Sequence, residues 1–127
     1  MNATKTNALN WFEIYVADFD RARRFYETIL GEPLTPTEMA GGKMAMFACD
    51  PQNGVGGAIV KMEGCTPPGA GGTMVYLNVE GKLDAVIERV PGAGGKVVRA
   101  RMPIPPHGFI AFFEDTEGNH VGLHSMS

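Results

Sequence analysis

At 127 residues the chain is one domain by length, long enough to bury roughly two-thirds of the surface its unfolded form exposes. An apolar fraction of 44% and a charged fraction of 20% exclude a fibrous or low-complexity chain, and a net charge of −3 without a basic stripe excludes a nucleic-acid partner. No apolar run approaches the roughly 20 residues of a membrane span and the polar start MNATKTNALN has no signal-peptide core, so a cytoplasmic protein with no membrane partner is expected.

The stretch LNWFEIYV (9 to 16) is rich in aromatic and β-branched residues and reads as a strand, with Trp11, Glu13 and Tyr15 on one face and Phe12, Ile14 and Val16 on the other. Asp18 then stands where a helix N-cap belongs, and Ala22, Phe25, Tyr26, Ile29 and Leu30 recur at helical spacing up to Gly31. Short strands are predicted near 34 to 39, 43 to 49 and 57 to 62, separated by Gly41-Gly42 and by the turn residues Pro51 to Gly54. CTPPGAGG (65 to 72) reads as a linker. Cys49 and Cys65 have no CxxC spacing, so reduced thiols and no structural zinc are expected.

The same grammar then returns. TMVYLNVE (73 to 80) is a second strand, and Leu83, Val86, Ile87 and Val90 form the stripe of a second helix that ends at Pro91-Gly92. Strands follow near 96 to 102, 108 to 114 and 119 to 125. Val16 with Val79, Ala22 with Ala85 and Gly31 with Gly94 share one offset, since 79−16, 85−22 and 94−31 all equal 63. The expected fold class is therefore α+β: two tandem βαβββ modules, at about 7 to 64 and 73 to 125, whose sheets combine around a shared cavity in a single domain. The competing reading is an α+β domain whose halves match by chance.

Two segments carry a family resemblance. WFEIYVADFDRARRFYETILG (11 to 31) resembles the strand and "D-x-x-R-x-x-x-F-Y" helix of the glyoxalase, bleomycin-resistance and extradiol-dioxygenase superfamily, also called vicinal oxygen chelate proteins. FEDTEGNHVGLHS (113 to 125) resembles that family's "D-P-x-G-N" turn before its last strand, with Thr116 where proline is usual. The resemblance covers nearly the whole chain and implies the fold just described. It also implies that metal-dependent members hold a divalent cation with His or Glu from the first and fourth strands of each half. Those positions fall here on Trp11, Ile59, Met74 and Gly122, consistent with the offset because 74−11 and 122−59 are both 63. None supplies a carboxylate or imidazole, so no cofactor and no metal site are expected.

Alternation from the same register puts Trp11, Glu13, Tyr15, Ile59, Lys61, Met74, Tyr76, Asn78, His120, Gly122 and His124 on one cavity wall. Aromatic area with a few polar groups suits a small-molecule pocket, with room expected at Gly122. His120 and His124 sit about 13 Å apart if both lie on a strand, too far to share an ion, and His120 is expected to face solvent or to lie at the pocket rim. Glu13 and His124 are the candidate acid and base, with Lys61 or Tyr76 as other partners for Glu13; the alternative is a purely structural network around that acid. His107, in the proline-stiffened PIPPHGF, is a candidate lid residue or is simply exposed. The methionines of the central strands read as adaptable core, and both GAGG segments as turns, because neither leads from a strand into a helix.

Three functions remain open on this reading. The first is binding of a small organic molecule in a metal-free cavity, as in the bleomycin-resistance branch, in a homodimer of the kind the resemblance implies. The second is a lyase or isomerase acting on a small oxygenated metabolite through Glu13 and His124, as an acid-base pair or as unconventional metal ligands. The third is a non-catalytic interaction domain with a filled cavity.

Overall fold

The aromatic and β-branched run that opens the chain is extended over Trp11–Tyr15 (β1), and its burial alternates as such a strand requires, with Ile14 buried and Trp11 and Glu13 exposed. This is a computed structural model, and it describes residues 7, 11–39, 41–63, 67–71 and 73–127. The first two residues of the expected opening strand, Cys65 and both ends of the expected linker lie outside the described residues.

Asp18 caps the first helix, Phe19–Leu30 (α1), by accepting a hydrogen bond from the Arg21 backbone N–H at 3.0 Å, and Gly31 ends it in the left-handed region at φ 70°. The inward face is Phe19, Ala22, Phe25, Tyr26 and Ile29. Strands Thr35–Met39 (β2), Gly42–Met46 (β3) and Gly56–Met62 (β4) follow. The second half repeats the order with Tyr76–Asn78 (β5), Leu83–Arg89 (α2), Lys96–Pro103 (β6), Phe109–Glu114 (β7) and His120–Ser125 (β8). Its first strand is only three residues long, shorter than the run 73 to 80 suggests.

Each half builds a four-stranded sheet of the same topology, β1-β4-β3-β2 and β5-β8-β7-β6, in which the first strand lies parallel to the fourth at one edge. The chance-likeness alternative falls with this identity of order. Both helices share one core with the inner faces of the two sheets: Phe25 meets Phe113 with ring centroids 5.6 Å apart, and Ile14, Ile59, Leu77 and Leu123 belong to the same buried cluster.

The internal repeat is not uniform, however. Pairing places Glu13 beside Ala58 and Tyr76 beside Gly122, so the offset is 63 between the first strands (76−13) but 64 between the fourth (122−58). The helices already follow the larger number: buried Phe19, Ala22 and Tyr26 correspond to buried Leu83, Val86 and Val90, since 83−19, 86−22 and 90−26 all equal 64. Ala85, expected to match Ala22, is exposed. The extra residue sits in the turn before α2, where Gly81 takes φ 75°. Lys82 then begins α2 with no side-chain cap bond, and the Gly81 N–H is held instead by the Ser125 hydroxyl at 2.9 Å.

A polar knot ties the two family-like segments together. The Glu117 carboxylate accepts the backbone N–H groups of Ala17 and Asp18 at 2.9 and 2.7 Å, and the Arg21 guanidinium donates to it at 2.8 and 3.1 Å. Burial by itself would raise the Glu117 pKa, but bonds from Arg21, Asp18, Thr116 and Ala17 outweigh it and hold the group at about 2. Next to it, burial raises both Asp115 and Tyr26, and the Tyr26 hydroxyl donates to Asp115 at 2.7 Å. Asn119 donates from its side chain to the Tyr15 carbonyl at 2.8 Å, fixing the end of β1 against the turn before β8.

Candidate functional site

The facing edges of the two sheets, β1 and β5, leave an open cleft of about 1080 Å³. Trp11, Glu13 and Tyr15 line it from β1, and Met74, Tyr76 and Asn78 line it from the second half. All six were expected on the cavity wall. Phe12, Phe47, Cys49, Glu32, Thr73 and Val75 line it as well. The sequence reading did not place these on the wall, and put Phe12 on the opposite face, because the cleft wraps around the strand edges and so takes side chains from both faces of β1.

Glu13 is held by its own strand. The Trp11 indole N–H donates to one carboxylate oxygen at 3.2 Å and the Tyr15 hydroxyl donates to the other at 3.1 Å. Residues two apart on a strand share a face, which is what lets both neighbours reach it. The partners expected from sequence, His124, Lys61 and Tyr76, are replaced by these two. The Trp11 ring leans over Gly56, where an added Cβ would stand 3.4 Å from the indole, and Gly56 is the register partner of Trp11.

Several expected wall residues lie elsewhere. Ile59 pairs in register with Ile14, so it faces the helices and is fully buried in the core. Lys61 follows on that same face, opposite Lys43, and lines a separate hollow near Asp18 and Asp20. Both displacements have one cause: the uniform offset carried β4 one residue out of register, and a one-residue slip exchanges the faces of a strand. Gly122 does lie on the cavity side, beside Tyr76, but the tyrosine ring covers it, so the room expected there is occupied. His124 pairs with Asn78, and its Nε2 donates to the His107 carbonyl at 2.7 Å, the only sense possible since a carbonyl only accepts. It thereby anchors the 104–108 loop and is not joined to Glu13. His107 itself is exposed. His120 is half-buried, 3.6 Å from Glu114, and borders a smaller hollow of about 260 Å³ with Glu13 and Tyr15.

The true register also revises the positions at which family members hold a metal. One layer contains Trp11 and Gly56 with Met74 and His120, the next Glu13 and Ala58 with Tyr76 and Gly122, and the third Tyr15 and Val60 with Asn78 and His124; Met74 extends the β5 register by two residues. Each layer carries at most one carboxylate or imidazole, and among the described residues no three His, Cys, Asp or Glu side chains stand together. This donor set does not fit a divalent ion.

Comparison with known proteins agrees with this architecture. The chain is 30% identical over 120 residues to a protein of Mycobacterium bovis that bears the glyoxylase name CFP32, an alignment covering 90% of the chain but 44% of that protein. The chain thus spans less than half the length of the curated relatives it matches. Maize glyoxalase I, as its V278E mutant, shares the fold with a TM-score of 0.68 at 23% identity, over 98% of this chain and 48% of that one. TnmS3, an antibiotic binding protein from Streptomyces sp. CB03234, matches with a TM-score of 0.66 at 25% identity, over 98% of this chain and 100% of its own. The family model of the glyoxalase, bleomycin resistance protein and dioxygenase superfamily matches residues 8–123, and the chain belongs to that superfamily.

Proposed function

We propose that this protein takes up a small organic molecule in the cleft between β1 and β5, without a resident metal ion. The observation that carries the reading is the composition of the wall in its true register: aromatic and small residues with at most one ligating group per layer. A divalent cation is held by three or more oxygen, nitrogen or thiolate donors converging at one depth, and this wall offers no such convergence among the described residues. A cleft of about 1080 Å³ with exposed aromatic rings and a few directed polar groups suits a drug-sized ligand. Likeness to an antibiotic binding protein over that protein's full length supports the same direction.

A lyase or isomerase working through Glu13 and His124 has weaker support. Acid-base catalysis needs both groups within reach of one substrate, whereas here Glu13 is engaged by Trp11 and Tyr15, and His124 by the His107 carbonyl. The reading retains the cytoplasmic location expected from the sequence and the homodimer carried over from the family resemblance; light scattering at twice the 13.6 kDa of one chain is the expected result.

The test of the metal-free reading is elemental analysis of the purified protein, joined to thermal-shift titrations with nickel, zinc, manganese and iron. Substoichiometric metal and no specific stabilisation are expected. A stoichiometric ion, or a melting temperature raised by one metal alone, overturns the proposal.

A further inference from the structure

We infer that the cleft selects organic cations, a quaternary or protonated amine resting against Trp11 beside Glu13. The inference rests on the cleft binding a small molecule, as proposed above, and adds the charge of that molecule. Glu13 supplies the first argument. Both of its oxygens accept from neutral donors, an indole N–H and a phenol O–H, and no ion pair among the described residues includes it. Its negative charge is oriented by these bonds and not cancelled by them.

The aromatic surface supplies the second. Trp11 is 40% exposed and Tyr76 47% exposed, and they stand on the two edge strands that bound the cleft. A cation gains from the negative face of an aromatic ring, most of all from tryptophan. Donating the indole N–H to a carboxylate pushes electron density into the ring and strengthens that face.

The remaining charges of the lining agree. Among the described residues Glu32, Asp50 and Glu80 border the cleft against a single lysine, Lys82. Backbone and side-chain bonds from Gln52 and Asn53 hold the Asp50 carboxyl below its usual range, so it keeps its charge. Glu80 is turned toward the Met126 backbone N–H at 2.7 Å, so Glu13 beside the indole is the direct contact and the others contribute a field. An anionic ligand would meet repulsion from this lining, and a neutral one would use the rings alone.

Trp11 is the only tryptophan of the chain, so its emission reads the site directly. The probes are phenyltrimethylammonium, its neutral isostere tert-butylbenzene, and benzoate. The first carries no N–H, so any preference for it reports charge and not hydrogen bonding to Glu13. The expected result is a saturable emission change with phenyltrimethylammonium, about tenfold tighter than with tert-butylbenzene and weakened by salt, with benzoate the poorest. Glu13→Gln, checked for folding by circular dichroism, is expected to abolish the preference while leaving tert-butylbenzene within about twofold. If Glu13→Gln fails to fold, loss of the preference with rising salt in the unaltered protein decides the matter. Equal or tighter binding of the neutral or anionic probe, or a preference that survives Glu13→Gln or high salt, overturns cation selection and leaves the cleft a binding site. No saturable change with any of the three overturns both.

Discussion

At the scale of single residues, Glu117 has the most to say about stability. It lies buried between the start of α1 and the turn before β8, with four donors on its two oxygens besides the Thr116 hydroxyl. Its folded pKa of about 2 lies below the unfolded value, so its contribution to stability is present above pH ~4.5 and is lost as the pH falls toward 2. Asp115 acts in the opposite sense: burial raises it, so its contribution is present at low pH and is lost as the pH rises through its own raised pKa. Glu117→Gln is expected to lower stability at neutral pH by roughly 2–3 kcal/mol and to flatten the acid limb of a melting-temperature profile. Tyr26→Phe removes the hydroxyl that donates to buried Asp115 and should cost roughly 1–2 kcal/mol in chemical denaturation. Neither role was legible in the sequence, where Glu117 registered only as part of a family-like segment and Tyr26 as part of the other and of the apolar stripe of α1. The bonds that define them join positions about a hundred residues apart, and periodicity describes only near neighbours.

At the scale of elements, order and type were plain in the sequence because apolar period, caps and turn residues agreed at each step, as at Asp18 and Gly31 around α1. Register was a different matter. Three matched positions fixed an offset of 63, although the apolar stripes of the two helices, Phe19, Ala22 and Tyr26 against Leu83, Val86 and Val90, line up at 64. The pairing of β1 with β4 set against that of β5 with β8 carries the step into the sheets, and with it the burial of Ile59 and the turning away of Lys61. Gly81→Ala should cost about 1 kcal/mol, read by thermal denaturation, because φ 75° suits glycine and strains alanine. Gly122→Ala is a sharper probe of the cleft. Its Cβ would enter the Tyr76 ring, and that ring is exposed enough to swing aside, so stability should change by less than about 1 kcal/mol while Trp11 emission and probe affinity change.

At the scale of the whole molecule, the repeated topology was legible and the cavity was expected, but its location between two sheet edges was not, since alternation assigns faces and says nothing of what lies beyond an edge. The six expected wall residues that do line the cleft all come from β1 and β5 or the chain just before β5, the segments least affected by the register step. A further consequence belongs to biosynthesis. β8 lies inside its sheet, between β5 and β7, and among the described residues β5 has no other strand partner there. The ribosome therefore completes β5, α2, β6 and β7 before the strand that joins them exists, and Glu117 reaches α1 only just ahead of it. Nascent chains stalled before His120 should stay open to protease along β5, and extension through Ser125 should close that window in a single late step.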